Sequence, residues 1–344
     1  MNGRSTIART ALVYFFSIIA AFAVTMILVA VLGFSPWRAL RTLVTTSFRT
    51  SFGFEETLKK TVPLIFTTYA FTIPFMIKFF NIGAWGQMLF GGTITAVVAL
   101  TAGETGMPAV ILIPLLLTTG LVAGGALALG SGLLKTRYGI NPIISTIMSN
   151  YLAIQFLNFV ATAGPFRDPT EGHPMTRRLV AAATIRSWGI VPQAVVPALI
   201  ASVIVYLMIR HTRLGYEITA IGHNERSARV YGINFNRTLL LTFFIGGALA
   251  GLGGTIEVIS TQRRLIEGFA TTSGAQFGMF GIVNALIVNA NPIAVPISAF
   301  LMSVLLVGAD ALQRTMQVPV EAVLLSQALA VLFVVVTRER LRGR

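Results

Sequence analysis

The apolar residues of this chain fall in long uninterrupted runs, and that feature limits what it can fold into. Segments such as 11–32, 108–134 and 238–259 hold about twenty or more residues with almost no charge. That is the length an α-helix needs to cross roughly 30 Å of hydrocarbon. In lipid every backbone N–H and C=O must be satisfied within the protein, so such runs become helices. A large soluble core is the competing explanation, and composition argues against it. Only 11% of residues are charged and 55% are apolar, whereas soluble domains carry roughly a quarter charged residues to cover their surface. The expected fold class is an all-α membrane protein.

The runs predict about ten transmembrane helices at 11–32, 61–79, 82–102, 108–134, 142–163, 191–209, 238–259, 275–290, 292–312 and 318–337. They form a single transmembrane domain over 1–344, the second span being kinked by Pro63 and Pro74. The first run resembles a signal peptide around Ala21-Phe22-Ala23, but it continues about ten residues further and reads as an uncleaved span. Three connecting segments are long: 34–60, 164–189 and 210–237, the first carrying an amphipathic stretch on the membrane surface. An even span count puts both termini on one side. The basic clusters at 210–237 and 338–344 then fall on that side together, which favours the cytoplasm. The net charge of +14 sits mostly in short loops, where it anchors helices to headgroups and gives no reason to expect nucleic acid. Without cysteine there is no disulfide, thiol nucleophile or thiolate metal site.

The chemistry expected inside is polar and neutral. Lys78, Arg210, Glu257, Asp310 and Arg314 lie near span ends, where they can reach water, and His173, His211 and His223 are in loops. No carboxylate or histidine is placed for a proton relay. Neutral polar residues do occur within spans: Ser145, Thr146, Ser149, Asn150, Gln155 and Asn158 in the fifth, Gln87 in the third, and Gln276 and Asn284 in the eighth. An amide in hydrocarbon is costly unless bonded, so these residues face either another helix or a water-filled path. Gln87, Asn150, Asn81 and Asn284 are the candidate path residues. A path of this kind suits a neutral solute with hydroxyl and amide groups. No catalytic or metal-binding set is expected.

The segment 210–237 is amphipathic, charged with both signs, and broken at Gly222 and Gly232. Ile221, Ala228, Val230 and Ile233 make an apolar stripe beside Glu225, Arg226 and Arg229. Such an elbow can dock into a groove on another protein, or it can be an ordinary basic loop.

Several phrases together carry a family resemblance. Asn81-Ile82-Gly83-Ala84-Trp85-Gly86-Gln87, Ser145-Thr146-Ile147-Met148 followed by Asn150-Tyr151, and Ile221-Gly222 with Asn224 are three of them. Tyr231-Gly232-Ile233-Asn234, the glycine-rich run 247–254 and Asn291-Pro292-Ile293 complete the set. In this order they resemble ABC transporter permeases of the ribose and nucleoside importer group, over most of the chain. The resemblance implies a type II importer permease fold and a second permease, identical or homologous, enclosing a central path. It also implies two cytoplasmic ATPase subunits carrying ATP and Mg, and an extracellular substrate-binding lipoprotein, in the plasma (inner) membrane. The elbow residues Asn224, Glu225, Arg226, Ala228, Arg229 and Gly232 would couple this chain to the ATPase. Two positions depart from the family, which usually has acids where Trp85 and Pro142 stand. The chain has no GxxxxGK[ST] loop, so the expected function is non-catalytic. A self-sufficient secondary carrier is the main alternative; a membrane enzyme would need an acid or histidine cluster that the sequence lacks.

Overall fold

Four helices in this protein start at a residue whose side chain caps them, Asn141, Thr212, Asn224 and Asn234. The computed structural model describes residues 33–185, 187–269 and 273–317, with a few isolated positions on either side. Its helices are α1 (Pro36–Arg49), α2 (Ser51–Met76), α3 (Ala84–Gly103), α4 (Ala109–Tyr138), α5 (Pro142–Thr162) and α6 (Val195–His211). They continue as α7 (Arg213–His223), α8 (Glu225–Val230), α9 (Phe235–Ile256), α10 (Ser273–Ile287) and α11 (Val295–Met316). A π-helical turn, Glu257–Gln262, prolongs α9. Gly139 ends α4 in the left-handed region at φ 70, where a Cβ is unwelcome. Asn141 then caps α5 by accepting from the Ile143 N–H, with Pro142 in the first turn.

Five helical runs among the described residues are long and apolar enough to cross a membrane: α3, α4, α5, α9 with its π turn, and α11. The pair α6–α7 adds a sixth if its 70° bend is counted within one span. The expected spans 11–32 and 318–337 lie outside the described residues. Where a helix was expected over 61–79, α2 begins ten residues earlier, at Ser51. The added turns hold Glu55, Glu56, Lys59 and Lys60, whose charges do not interrupt backbone hydrogen bonding.

The chain divides into two compact units, 58–299 and 1–57 with 300–344. In the larger, α3, α4 and α9 meet through glycine. A Cβ on Gly124 would collide with the Gly247 carbonyl, one on Gly251 with Gly120, and one on Gly91 with Gly251. The backbones therefore lie closer than any side chain would allow. The hydroxyls of Thr95 and Thr255 bond across this seam at 2.7 Å. Next to it, Ala96, Leu100, Leu112, Leu116, Val258 and Ile259 form a buried apolar cluster.

The 164–189 segment is not a free loop. Thr176 N–H donates to Leu265 O (2.9 Å), Leu179 N–H to Arg263 O (2.9 Å) and Ile185 N–H to Ile259 O (3.0 Å), zipping it to the stretch after α9. Ion pairs Arg177–Glu104 and Arg264–Glu171, each 3.0 Å, brace it. The Thr170 hydroxyl and backbone N–H hold the Asp168 carboxyl below the usual carboxylate range. A hairpin of β1 (Ser187–Trp188) and β2 (Val191–Pro192) closes the segment.

In the smaller unit, α1 buries Ala39 and Leu43 against Ala309 and Leu312. Trp37 is exposed, as expected of an amphipathic surface helix.

Candidate functional site

An Asn or Gln side chain inside a helical bundle needs partners, and the turn between α2 and α3 supplies them. Asn81 and Gln87 are fully buried. The Asn81 amide donates to Ala70 O (3.1 Å) and to Gln87 Oε1 (2.9 Å), and its Oδ1 accepts from Gly83 N–H (3.2 Å) and Gln87 Nε2 (2.9 Å). Both donor hydrogens and both acceptor positions of Asn81 are thus used. Asn150, from the middle of α5, completes the junction. Its Oδ1 accepts from Gly86 N–H at 2.8 Å and its amide donates to Ile82 O at 3.0 Å. The first N–H groups of a helix lack intrahelical partners, so Asn150 caps α3 from a different helix. A Cβ on Gly86 would strike the Asn150 side chain at 2.5 Å, which explains glycine there. In this arrangement Asn81, Gln87 and Asn150 tie α2, α3 and α5 together.

Asn284, the fourth candidate path residue, belongs to a separate cluster. It is fully buried on α10, donates to Thr68 Oγ1 at 3.1 Å and accepts from the Ser298 hydroxyl. Thr67 Oγ1 donates to Phe277 O (2.9 Å) and Tyr69 OH to Pro292 O (2.9 Å), so three consecutive α2 residues face this cluster. The structure therefore brings three of the four residues together and sets Asn284 apart.

Two buried carboxylates escaped the sequence reading. Glu257 was expected near a span end, within reach of water. It is instead 4% exposed, in the π turn, accepting from Gln262 Nε2 at 3.0 Å. The glutamine five residues on fits the wide turn and was the available signal. Glu217 is buried between Arg213 Nε (3.0 Å) and Thr238 Oγ1 (3.1 Å), fastening α7 to α9. The buried side-chain atoms without a partner among the described residues are Thr72 Oγ1, Trp85 Nε1 and Asn158 Oδ1. Trp85 Nε1 is thus an unpaired buried donor among the described residues.

The elbow is built from local caps. Asn224 Oδ1 accepts from Ser227 N–H (3.2 Å) to start α8, and Asn234 Oδ1 accepts from Arg237 N–H (3.1 Å) to start α9. Between them Gly232, at φ 80, closes α8: Ile233 N–H reaches Ala228 O (3.1 Å) and Gly232 N–H reaches Arg229 O (3.0 Å). Glu225 pairs with Arg229 at 2.8 Å, one turn apart. The apolar stripe needs correction. Ile221 and Ala228 are buried, so that face packs inward. What the elbow exposes is Arg226 beside Val230 (85%) and Tyr231 (84%). Ile221 lies on α7 and Ala228 on α8, with the extended Asn224 between them, so spacing along the sequence does not say which way either points.

The elbow also touches the α2–α3 turn. A Cβ on Gly222 would collide with Met76 O, and the Phe79 and Phe235 rings lie 5.9 Å apart. The Arg229 guanidinium sits over the Phe235 ring at 4.8 Å, a cation–π contact.

Comparison with known proteins adds an independent line. The sequence profile of the family described as branched-chain amino acid transport system / permease component matches residues 53–337. The glucose ABC transporter permease protein TsgB13 of Haloferax volcanii is 30% identical, over 93% of this chain and 85% of its own. The nucleoside ABC transporter permease protein NupB of Lactococcus lactis is 29% identical, over 98% and 93%. The guanosine ABC transporter permease protein NupP of Bacillus subtilis is 30% identical, over 94% and 92%. No solved structure gives a significant match.

Proposed function

This chain belongs to the branched-chain amino acid transport system / permease component family, and we propose that it pairs with a second permease to enclose the path of a neutral polar solute. It is a multi-pass membrane protein and the permease subunit of an ABC importer. The solute class is a nucleoside or simple sugar. Two things support it: the relatives are named for glucose, nucleosides and guanosine, and the buried polar groups are mainly amides and hydroxyls. Asn81, Gln87, Asn150 and Asn284 are the proposed polar framework of the path, holding its wall through their hydrogen bonds.

Two cytoplasmic ATPase chains, carrying ATP and Mg, dock at Asn224–Gly232. Hydrolysis is theirs, and this chain is non-catalytic. An extracellular substrate-binding lipoprotein delivers solute from the other side. Both termini are cytoplasmic and the membrane is the plasma (inner) membrane. The observation that carries the coupling reading is α8 itself, a short, doubly capped, ion-paired helix exposing Arg226, Val230 and Tyr231.

The test is uptake of labelled guanosine and glucose by cells or proteoliposomes holding the assembled importer. Uptake of at least one should require ATP and survive an uncoupler. Uptake abolished by the uncoupler at constant ATP would overturn the reading. That result would favour a secondary carrier, a reading that the buried Glu257 supports.

A further inference from the structure

We propose that Phe79 and Phe235 are positioning residues through which the elbow acts on the buried amide junction, with Lys78 as the hinge. The proposal rests on the reading that α8 docks an ATPase, and it names the route by which that docking reaches the bundle.

The six residues 76–81 are held from three directions. Gly222 of α7 presses on the Met76 carbonyl, Phe235 packs on Phe79, and Asn81 is tied by its amide to Ala70, Gly83 and Gln87. Phe235 is the first residue of α9, so it moves with the elbow whose cap, Asn234, precedes it. Arg229 of α8 lies over the same ring, so α8 and the start of α9 bear on Phe79 through one aromatic face. Phe71 and Phe75 of α2 pack together at 5.3 Å, and Phe80 in the turn packs on both at 5.7 and 5.2 Å, which fixes the end of α2. A displacement of the elbow therefore falls on the turn rather than on α2 as a whole.

That turn carries backbone strain. α2 closes with Phe79 N–H on Pro74 O (3.1 Å) and Lys78 N–H on Phe75 O (2.8 Å), the same pattern that closes α8. At the end of α8 the left-handed residue is Gly232; at the end of α2 it is Lys78, at φ 65. A side chain with a Cβ is disfavoured there, and it persists only where surrounding contacts hold it. Lys78 is exposed, so no buried contact of its own side chain accounts for it. The strain sits between the two aromatic contacts and the amide that organises the start of α3. Movement at Phe79 swings Asn81, and with it the bonds to Gly83 and Gln87.

The test uses the importer purified with its partner subunits, measuring solute-stimulated ATP hydrolysis and solute moved per ATP. Phe79→Leu and Phe235→Leu should each lower stimulated hydrolysis about tenfold while complex yield and basal hydrolysis stay unchanged. The double variant should be no worse than either, because both break one contact. Phe235→Tyr should restore coupling. Effects that multiply in the double variant, or no effect of either single, would overturn the relay. Lys78→Gly guards against misfolding, since it relaxes an exposed position. It should lower the solute moved per ATP with unchanged yield, and unchanged coupling would count against the hinge. Arg226→Glu, on the elbow's outer face, separates this proposal from its premise. If it leaves the ATPase bound and stimulated, the docking reading fails. If it abolishes stimulation while the phenylalanine variants behave normally, docking stands and the relay falls.

Discussion

The glycine seam and the amide junction solve the same problem, helices meeting in an apolar setting, by opposite means. Where α4 meets α9, Gly120, Gly124, Gly247 and Gly251 bring backbone against backbone. Where α2, α3 and α5 meet, Asn81, Gln87 and Asn150 bridge the gap with side-chain hydrogen bonds. The seam has no alternative arrangement of similar energy: sliding either helix puts a carbonyl into a neighbour or opens a void. The junction does, because an amide can exchange one partner for another, including water or a solute hydroxyl, at a cost of about 0.6–2 kcal/mol per bond. A transporter needs both kinds of contact, one to keep the bundle intact and one to let it change.

The largest expected effect is at the seam. Gly251→Leu drives a side chain into Gly120 and Gly124 and should yield no monodisperse protein in mild detergent, because backbone cannot step aside. A folded Gly251→Leu protein would show that the seam can slide, and the contrast would collapse. Next is Asn81→Leu, which strands the Ala70 carbonyl, the Gly83 N–H and the Gln87 amide at once. A loss of about 3 kcal/mol, read as a lowered melting temperature of the assembled importer, is expected. Asn150→Leu removes only the cap on Gly86 and the bond to Ile82, so about 1–2 kcal/mol should go. Assembly should survive while uptake falls about tenfold. Failure of this variant to assemble would make the junction as unforgiving as the seam. Smallest is Trp85→Phe. It deletes a buried N–H that has no acceptor among the described residues and should stabilise by up to about 1 kcal/mol, with uptake unchanged. Lost uptake at normal stability would instead assign that N–H to the solute.

The seam was easier to read from sequence than the junction. Gly and Ala crowd 108–134, where such composition lets helices approach closely, and the partner run 247–254 is itself glycine-rich. Asn81, Gln87 and Asn150 also stood out as amides in apolar surroundings. Their partners did not, since Asn150 is separated from Gly86 by 64 residues and nothing local encodes that meeting. The elbow was legible in part. Asn224, Gly232 and Asn234 are cap residues at cap positions, so its helix was foreseeable. The inward turn of Ala228 was not, because a six-residue helix is too short to show a polar face. Glu257 was misplaced for a similar reason: the apolar run around it gave depth in sequence, whereas burial depends on the neighbouring helices.

The zipped outer segment also dictates an order of events during synthesis. Leu265 N–H donates to Thr176 Oγ1 across 89 residues, so 164–185 cannot settle until the stretch after α9 has been made. At translation rates of about 5–20 residues per second the delay is on the order of 5–20 s. Throughout it, the N–H groups of Thr176, Leu179 and Ile185 lack the carbonyls of Leu265, Arg263 and Ile259 that they finally bond. They must wait in water, because lipid offers them none. The segment is therefore a late closure on an already inserted α9, and a stalled or truncated chain ending before residue 259 would leave it open.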